Sequence, residues 1–120
     1  MANMRAMRES DLDAVRHNKL VRDRIPELIE QAGKQAVTRV LDEGEYAQAL
    51  FQKLQEEAAE YERSGGIEEL ADVLEVVYAL AAAQGVSPQQ LERLRQDKRA
   101  ERGGFERRLW LVETLGGDEE

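Results

Sequence analysis

Two clusters of acidic residues flank a short break in the chain, and their spacing is the strongest chemical signal in it. Glu56, Glu57 and Glu60 precede Ser64-Gly65-Gly66, and Glu69 and Asp72 follow it. In an antiparallel helical hairpin, residues that face each other keep a constant index sum, and Glu60 with Glu69 and Glu57 with Asp72 share one sum. Within each half the acids stand three apart, on one side of a helix. The pattern predicts two neighbouring rungs of paired carboxylates. An oxygen-only ligand set of this kind suits a hard cation such as Mg²⁺ or Mn²⁺. Structural ion pairs with arginine are the competing reading.

The elements that must carry these acids are helical. Asp23, with Pro26 in the first turn, opens a helix that Gly33 closes. Gln35 to Leu41 is at best a short strand. Asp42 with Glu45 reads as a capping box that starts a second helix, whose apolar stripe is Tyr46, Ala47, Leu50, Phe51, Leu54, Ala58 and Tyr61. Glu57 lies along that stripe. Ile67 to Gln84 forms a third helix, apolar on nearly every side, with Asp72 and Glu75 its only charges beyond the first turn. Such a helix is buried all round, within one subunit or against another. Asp72 inside it is costly unless a cation or donor satisfies it. Gly85 ends the helix, and Ser87-Pro88-Gln89-Gln90 opens a fourth that stops at Gly103-Gly104. Phe105 to Leu111 alternates loosely and is expected to pack back as an extended segment.

The expected fold class is therefore all-α, a bundle of four main helices in one domain of about residues 17–112. Residues 1–16 form a peripheral arm, in which Ser10 to Asp13 offers a short helix start, and 113–120 an acidic tail. The third helix is too apolar for one thin layer to cover, so a homodimer is expected, with a tetramer as the larger even-numbered alternative.

Composition narrows the function classes. With 25 acidic and 17 basic residues among 120, the formal charge of −8 argues against nucleic acid as a partner. The chain has no cysteine, which removes thiolate chemistry and fits a reducing, cytoplasmic setting. Charged residues interrupt the first stretch where a signal peptide would need an apolar run. The apolar run Val76 to Ala83 is too short to cross a bilayer, so no membrane partner is expected. His17, the one histidine, reads as a surface residue, and Phe105, Trp110, Tyr61 and Tyr78 read as core or interface anchors.

These motifs resemble the MazG-like, all-α nucleoside triphosphate pyrophosphohydrolases, a superfamily that includes phosphoribosyl-ATP pyrophosphohydrolase and dimeric dUTPases. The hallmark Glu-Glu-x-x-Glu then Glu-x-x-Asp is matched by Glu56, Glu57, Glu60, Glu69 and Asp72. A small-protein branch opens with Asn-Lys-Leu-Val-Arg-Asp-x-Ile-Pro, as Asn18 to Pro26 does, and closes with Lys-x-x-x-Arg-Gly-Gly-Phe, as Lys98 to Phe105 does. The resemblance covers about Asn18 to Leu111. The eight residues between the two acidic halves are fewer than the superfamily usually has, leaving little room for a substrate-covering loop.

The resemblance implies that Glu57, Glu60, Glu69 and Asp72 bind Mg²⁺, with Mn²⁺ as substitute. Glu56 would hold a second metal or orient the attacking water, so Glu56 and Glu57 are the catalytic candidates. The implied reaction converts a nucleoside triphosphate to the monophosphate and pyrophosphate. Lys98 and Arg102, four apart on one helix face, are candidates for phosphate contact, as are Lys19 and Arg22. Arg22 either contacts phosphate or neutralises Asp23 or an acid of the core. Two alternatives accompany this reading: a phosphoribosyl-ATP-type activity, and a catalytically silent helical dimer that binds a nucleotide or a protein.

Overall fold

A computed structural model of the chain describes residues 14–117. The helix start read at Ser10 to Asp13 lies outside the described residues. Within them the protein is all-helical, with no strand: α1 (Ile25–Gln31), α2 (Glu43–Ser64), α3 (Ile67–Ala83) and α4 (Pro88–Arg102). The chain divides into two compact units, one ending at Val76 and the other beginning at Val77, so that α3 contributes to both.

In the first unit, α1 starts differently from its sequence reading. Arg24 is the N-cap, in helical conformation, and no side chain caps the helix. The Ile25 N–H donates to the Arg22 carbonyl at 3.0 Å, so a turn over Arg22 to Ile25 leads into the helix and Asp23 is not in capping position. Pro26 sits in the first turn, where its missing N–H has no partner to lose. Gln35 to Leu41 forms no strand; Val37 and Val40 are almost wholly exposed there. α2 opens with the expected capping box. The Asp42 carboxylate accepts from the Glu45 N–H at 2.8 Å, and the Glu45 side chain accepts from the Asp42 N–H at 3.2 Å. Gly65 ends α2 at φ 67°, a left-handed position natural to glycine, and its N–H donates to the Tyr61 carbonyl at 2.7 Å.

Among the described residues only Leu50 on α2 and Val76 on α3 are buried, at 3% and 7% exposure. Around Leu50 the α2 stripe is graded. Leu54 is half-buried, Tyr46 and Tyr61 lie at its margin, and Phe51 is 56% exposed. On α3, Glu69, Asp72 and Val73 share the partly buried side with Val76, while Ile67, Leu70 and Leu74 are exposed on another side. The all-round apolar character of α3 is thus met by burial on one side, and Ile67, Leu70 and Leu74 stay exposed on another.

In the second unit, α3 closes through Gly85 at φ 80°, with the Gly85 N–H on the Ala82 carbonyl and the Val86 N–H on the Ala81 carbonyl, both at 2.9 Å. α4 begins with a second capping box, in which Ser87 and Gln90 exchange hydrogen bonds at 2.9 and 3.1 Å, and with Pro88 at its first position. It ends at Gly103. Phe105 to Leu111 forms neither helix nor strand and is exposed. No described helix is by itself long and apolar enough to cross a membrane.

Candidate functional site

The acidic motifs lie in the first unit, on the partly buried sides of α2 and α3, and each acid has a polar partner. On α2, the Lys53 ammonium lies 3.5 Å from the Glu56 carboxylate and 3.6 Å from that of Glu57, with the Lys53 and Glu57 side chains only 19% and 18% exposed. One turn later Arg63 pairs with Glu60. These are i, i+3 and i, i+4 contacts, the spacing at which side chains meet on a helix surface. The sequence therefore already placed Lys53 and Arg63 beside the acids. They are site residues that the motif reading passed over.

Across the break, the Ser64 hydroxyl donates to the Glu69 carboxylate at 2.6 Å and accepts from the Gly66 N–H at 3.2 Å. A Cβ on Gly66 would stand 2.7 Å from a Glu69 oxygen, so glycine gives that carboxylate room over the turn. Asp72 accepts from the Arg22 guanidinium at 2.6 Å, a contact between residues fifty apart in sequence. Of the acids open to Arg22 for neutralisation, Asp72 is the one it pairs with in this structure.

Lys19 belongs to the same neighbourhood. It lines a cavity of about 340 Å³ with Lys53, Glu56, Glu57, Glu60 and Arg63. Three residues span at most about 10 Å of chain. The segment Lys19 to Arg22 thus reaches both acidic motifs, Glu56-Glu57-Glu60 through Lys19 and Asp72 through Arg22. The structure brings together Glu56, Glu57, Glu60 and Lys19 at one cavity, and Arg22 with Asp72. Among the described residues it gathers no group of three acids or histidines close enough to hold a metal ion. The donor chemistry fits a hard divalent cation, since every candidate ligand is a carboxylate and Glu57, Glu60, Glu69 and Asp72 are all partly shielded. For such a cation to bind, Lys53, Arg63 and Arg22 must release the acids they hold.

Lys98 and Arg102 lie in the second unit, on α4, both exposed. Among the described residues Lys98 forms no ion pair, and Arg102 has a loose one with its neighbour Glu101 at 3.9 Å. The close approach to the glycine pair is made instead by Arg99. Its guanidinium lies over Gly104 and donates to Glu106 at 2.8 Å. That hydrogen bond holds the Glu106 carboxyl below its ordinary pKa. His17 is exposed, as its sequence context suggested.

The chain is 57% identical over 42 residues to an uncharacterized protein of Mycolicibacterium smegmatis. The match takes in 35% of this chain and 43% of that protein, less than half the relative's length. No family model matches the chain, and no solved structure matches it.

Proposed function

We propose that the protein is a MazG-like, Mg²⁺-dependent nucleotide pyrophosphohydrolase that converts a nucleoside triphosphate to its monophosphate and pyrophosphate in a reducing, cytoplasmic setting. The observation that carries the reading is the meeting of two motifs distant in sequence. Lys19 and Arg22, from the amino-terminal motif, stand at the acids of the α2 and α3 motifs. A site that cleaves a phosphoanhydride needs both signs of charge, cations for the phosphate oxygens and carboxylates to hold a metal and manage a water proton.

Glu57, Glu60, Glu69 and Asp72 would hold the divalent cation, which supplies charge neutralisation at the phosphates when bound. Arg22, once parted from Asp72, presents its planar guanidinium to a phosphate, and Lys19 adds a mobile point charge at the cavity. Lys98 and Arg102 are the further candidates for phosphate contact. Glu56, the most exposed of the three motif acids on α2 at 56%, orients the attacking water and takes its proton, with Glu57 beside it in the catalytic pair. The partial shielding of Glu57 limits water around the reacting centre, where electrostatic interactions then count for more.

The ion pairs themselves favour one other reading, in which the acids are scaffold and the protein is a silent helical dimer that binds a nucleotide or a protein. A panel of nucleoside triphosphates, including a ribosylated purine triphosphate, assayed with Mg²⁺ and again with EDTA, separates the two. Metal-dependent consumption of at least one of them is expected; nucleotide binding with no consumption would establish the silent reading. Preference for the ribosylated triphosphate would direct the assignment to the phosphoribosyl-ATP type. The exposed face of α3 is taken to be covered in a homodimer, from which a tetramer could be built.

A further inference from the structure

The setting of Lys53 on α2 differs from that of every other paired cation among the described residues. The arginines in ion pairs there have side chains more than half exposed, whereas that of Lys53 is 19% exposed. Lys53 follows the buried Leu50 by three residues, so its aliphatic stem runs along the packed side of the helix. Its ammonium is also the one cation, among the described residues, that stands between two acids, 3.5 Å from Glu56 and 3.6 Å from Glu57.

Those distances say how it is held. Charge-assisted hydrogen bonds from nitrogen to a carboxylate run at about 2.7–2.9 Å, and Arg22 reaches Asp72 at 2.6 Å. Lys53 is drawn to both of its acids at Coulombic range and locked to neither. An ammonium carries three donors on a flexible four-carbon stem, so rotation of the side chain re-aims it without disturbing the helix.

The cavity wall it belongs to is balanced in charge. Lys19, Lys53 and Arg63 line it against Glu56, Glu57 and Glu60, with Ala59 the one uncharged member. Adding a divalent cation at Glu57 and Glu60 leaves that wall two positive charges in excess, and a phosphate is the group whose charge offsets them. The excess is felt most at Lys53. Lys19 is exposed and Arg63 is 68% exposed, and the more shielded a charge is, the less solvent and salt screen it.

We infer that Lys53 is a substrate-contacting residue. It lies between Glu56 and Glu57 in the absence of ligand, and it turns its ammonium to a phosphate oxygen of the nucleotide once a divalent cation takes Glu57. The same turn frees the Glu56 carboxylate for the attacking water. This role rests on the proposed function and adds to it the side chain that couples the metal to the phosphate.

Amine labelling followed by mass spectrometry reads the turn in the parent chain itself. The protein is treated with limiting acetic anhydride at one pH in EDTA, in Mg²⁺, and in Mg²⁺ with each of a panel of α,β-methylene nucleoside triphosphates, which cannot be hydrolysed at that link. Labelling of Lys53 should rise at least twofold with Mg²⁺ and fall below its EDTA level with Mg²⁺ and an analogue, while the exposed Lys34 stays constant. A lysine that only holds the helix side together ignores both additions, and that result overturns the role. Kinetics supply the second arm. Lys53→Met is expected to raise KM for the nucleotide at least tenfold with a smaller loss in kcat, and Lys53→Arg to recover part of it; a KM left at the parent value overturns the phosphate contact. If Lys53→Met loses helical circular dichroism, the labelling decides. Turnover by the parent with constant Lys53 labelling overturns this role and leaves the hydrolase standing. The labelling pattern without turnover keeps Lys53 as a contact of bound nucleotide and overturns the hydrolase instead.

Discussion

The acid-bearing sides of α2 and α3 and the arm that follows Gly104 depart from ordinary polarity in opposite directions. The first concentrates carboxylates on the helix sides that also carry Leu50, Leu54 and Val76, and offsets them with Lys53, Arg63, Arg22 and Ser64. The second leaves Leu109 to Val112 largely exposed, at 74% to 88%. Charge held against apolar packing is costly to keep, and apolar surface in solvent is costly in another way. On the proposed function the acids are completed by an exchangeable cation and a phosphate. The difference teaches that the two regions should respond differently to added metal, the acid-bearing site changing and the arm not.

The largest break in the comparison is expected from Asp72→Asn. Turnover should fall at least about 100-fold, the scale of losing a group that acts in the transition state. Stability without metal should change by no more than about 1 kcal/mol, because the Arg22–Asp72 pair is partly exposed. Thermal melts check this. Mg²⁺ should raise the melting temperature of the parent and barely move that of the variant. An unchanged metal response in the variant would make Asp72 scaffold.

Arg22→Ala sharpens the same point, since Arg22 is assigned two partners in turn. Titration calorimetry should show Mg²⁺ binding several-fold tighter once its competitor for Asp72 is gone, while kcat/KM for nucleotide falls. Weaker metal binding together with lower turnover would mean that Arg22 supports the site only by holding its shape.

Smaller effects belong to the scaffold that aims the acids. Asp42→Ala and Ser87→Ala each remove an N-cap whose partner hydrogen bond is present, and each should cost about 1 kcal/mol in chemical denaturation. Asp42→Ala should also lower activity, because α2 carries Glu56, Glu57 and Glu60. Ser87→Ala lies in the second unit and should leave metal binding unchanged.

The smallest effect is in pH. Arg39 hydrogen-bonds Glu45 and holds its carboxyl below the ordinary value of 4.5, as Arg99 does for Glu106. A depressed carboxyl stabilises the fold in full above its ordinary pKa and loses that contribution as pH falls through the lower folded value. Both pairs are at the surface, so Glu45→Gln with Glu106→Gln should flatten only slightly the loss of stability below about pH 4.5. Unfolding midpoints between pH 3 and 7 measure it.

Local chemistry made much of the fold legible. Asp42 with Glu45, Ser87 with Gln90, and the glycines at positions 65, 85 and 103 mark helix ends by groups that act within a few residues, and the structure uses each of them. Asp23 misled because it has the capping residue type, while the actual cap depends on the turn that Arg22 to Ile25 adopts. The acidic motifs were visible and so, at helical spacing, were Lys53 and Arg63. The Arg22–Asp72 pair was one of several partners open to Arg22, since a contact over fifty residues is set by packing and not by spacing. Arg99 was missed beside Lys98 and Arg102 because three cations in five residues look alike until one of them folds over Gly104.

The central claim is tested most directly by the stoichiometry of products, followed by phosphorus NMR for parent protein and Glu56→Gln with a triphosphate and Mg²⁺. The account expects one pyrophosphate for each nucleoside monophosphate from the parent, no orthophosphate, and almost no product from Glu56→Gln. Orthophosphate with a nucleoside diphosphate, or equal turnover by both proteins, would contradict it.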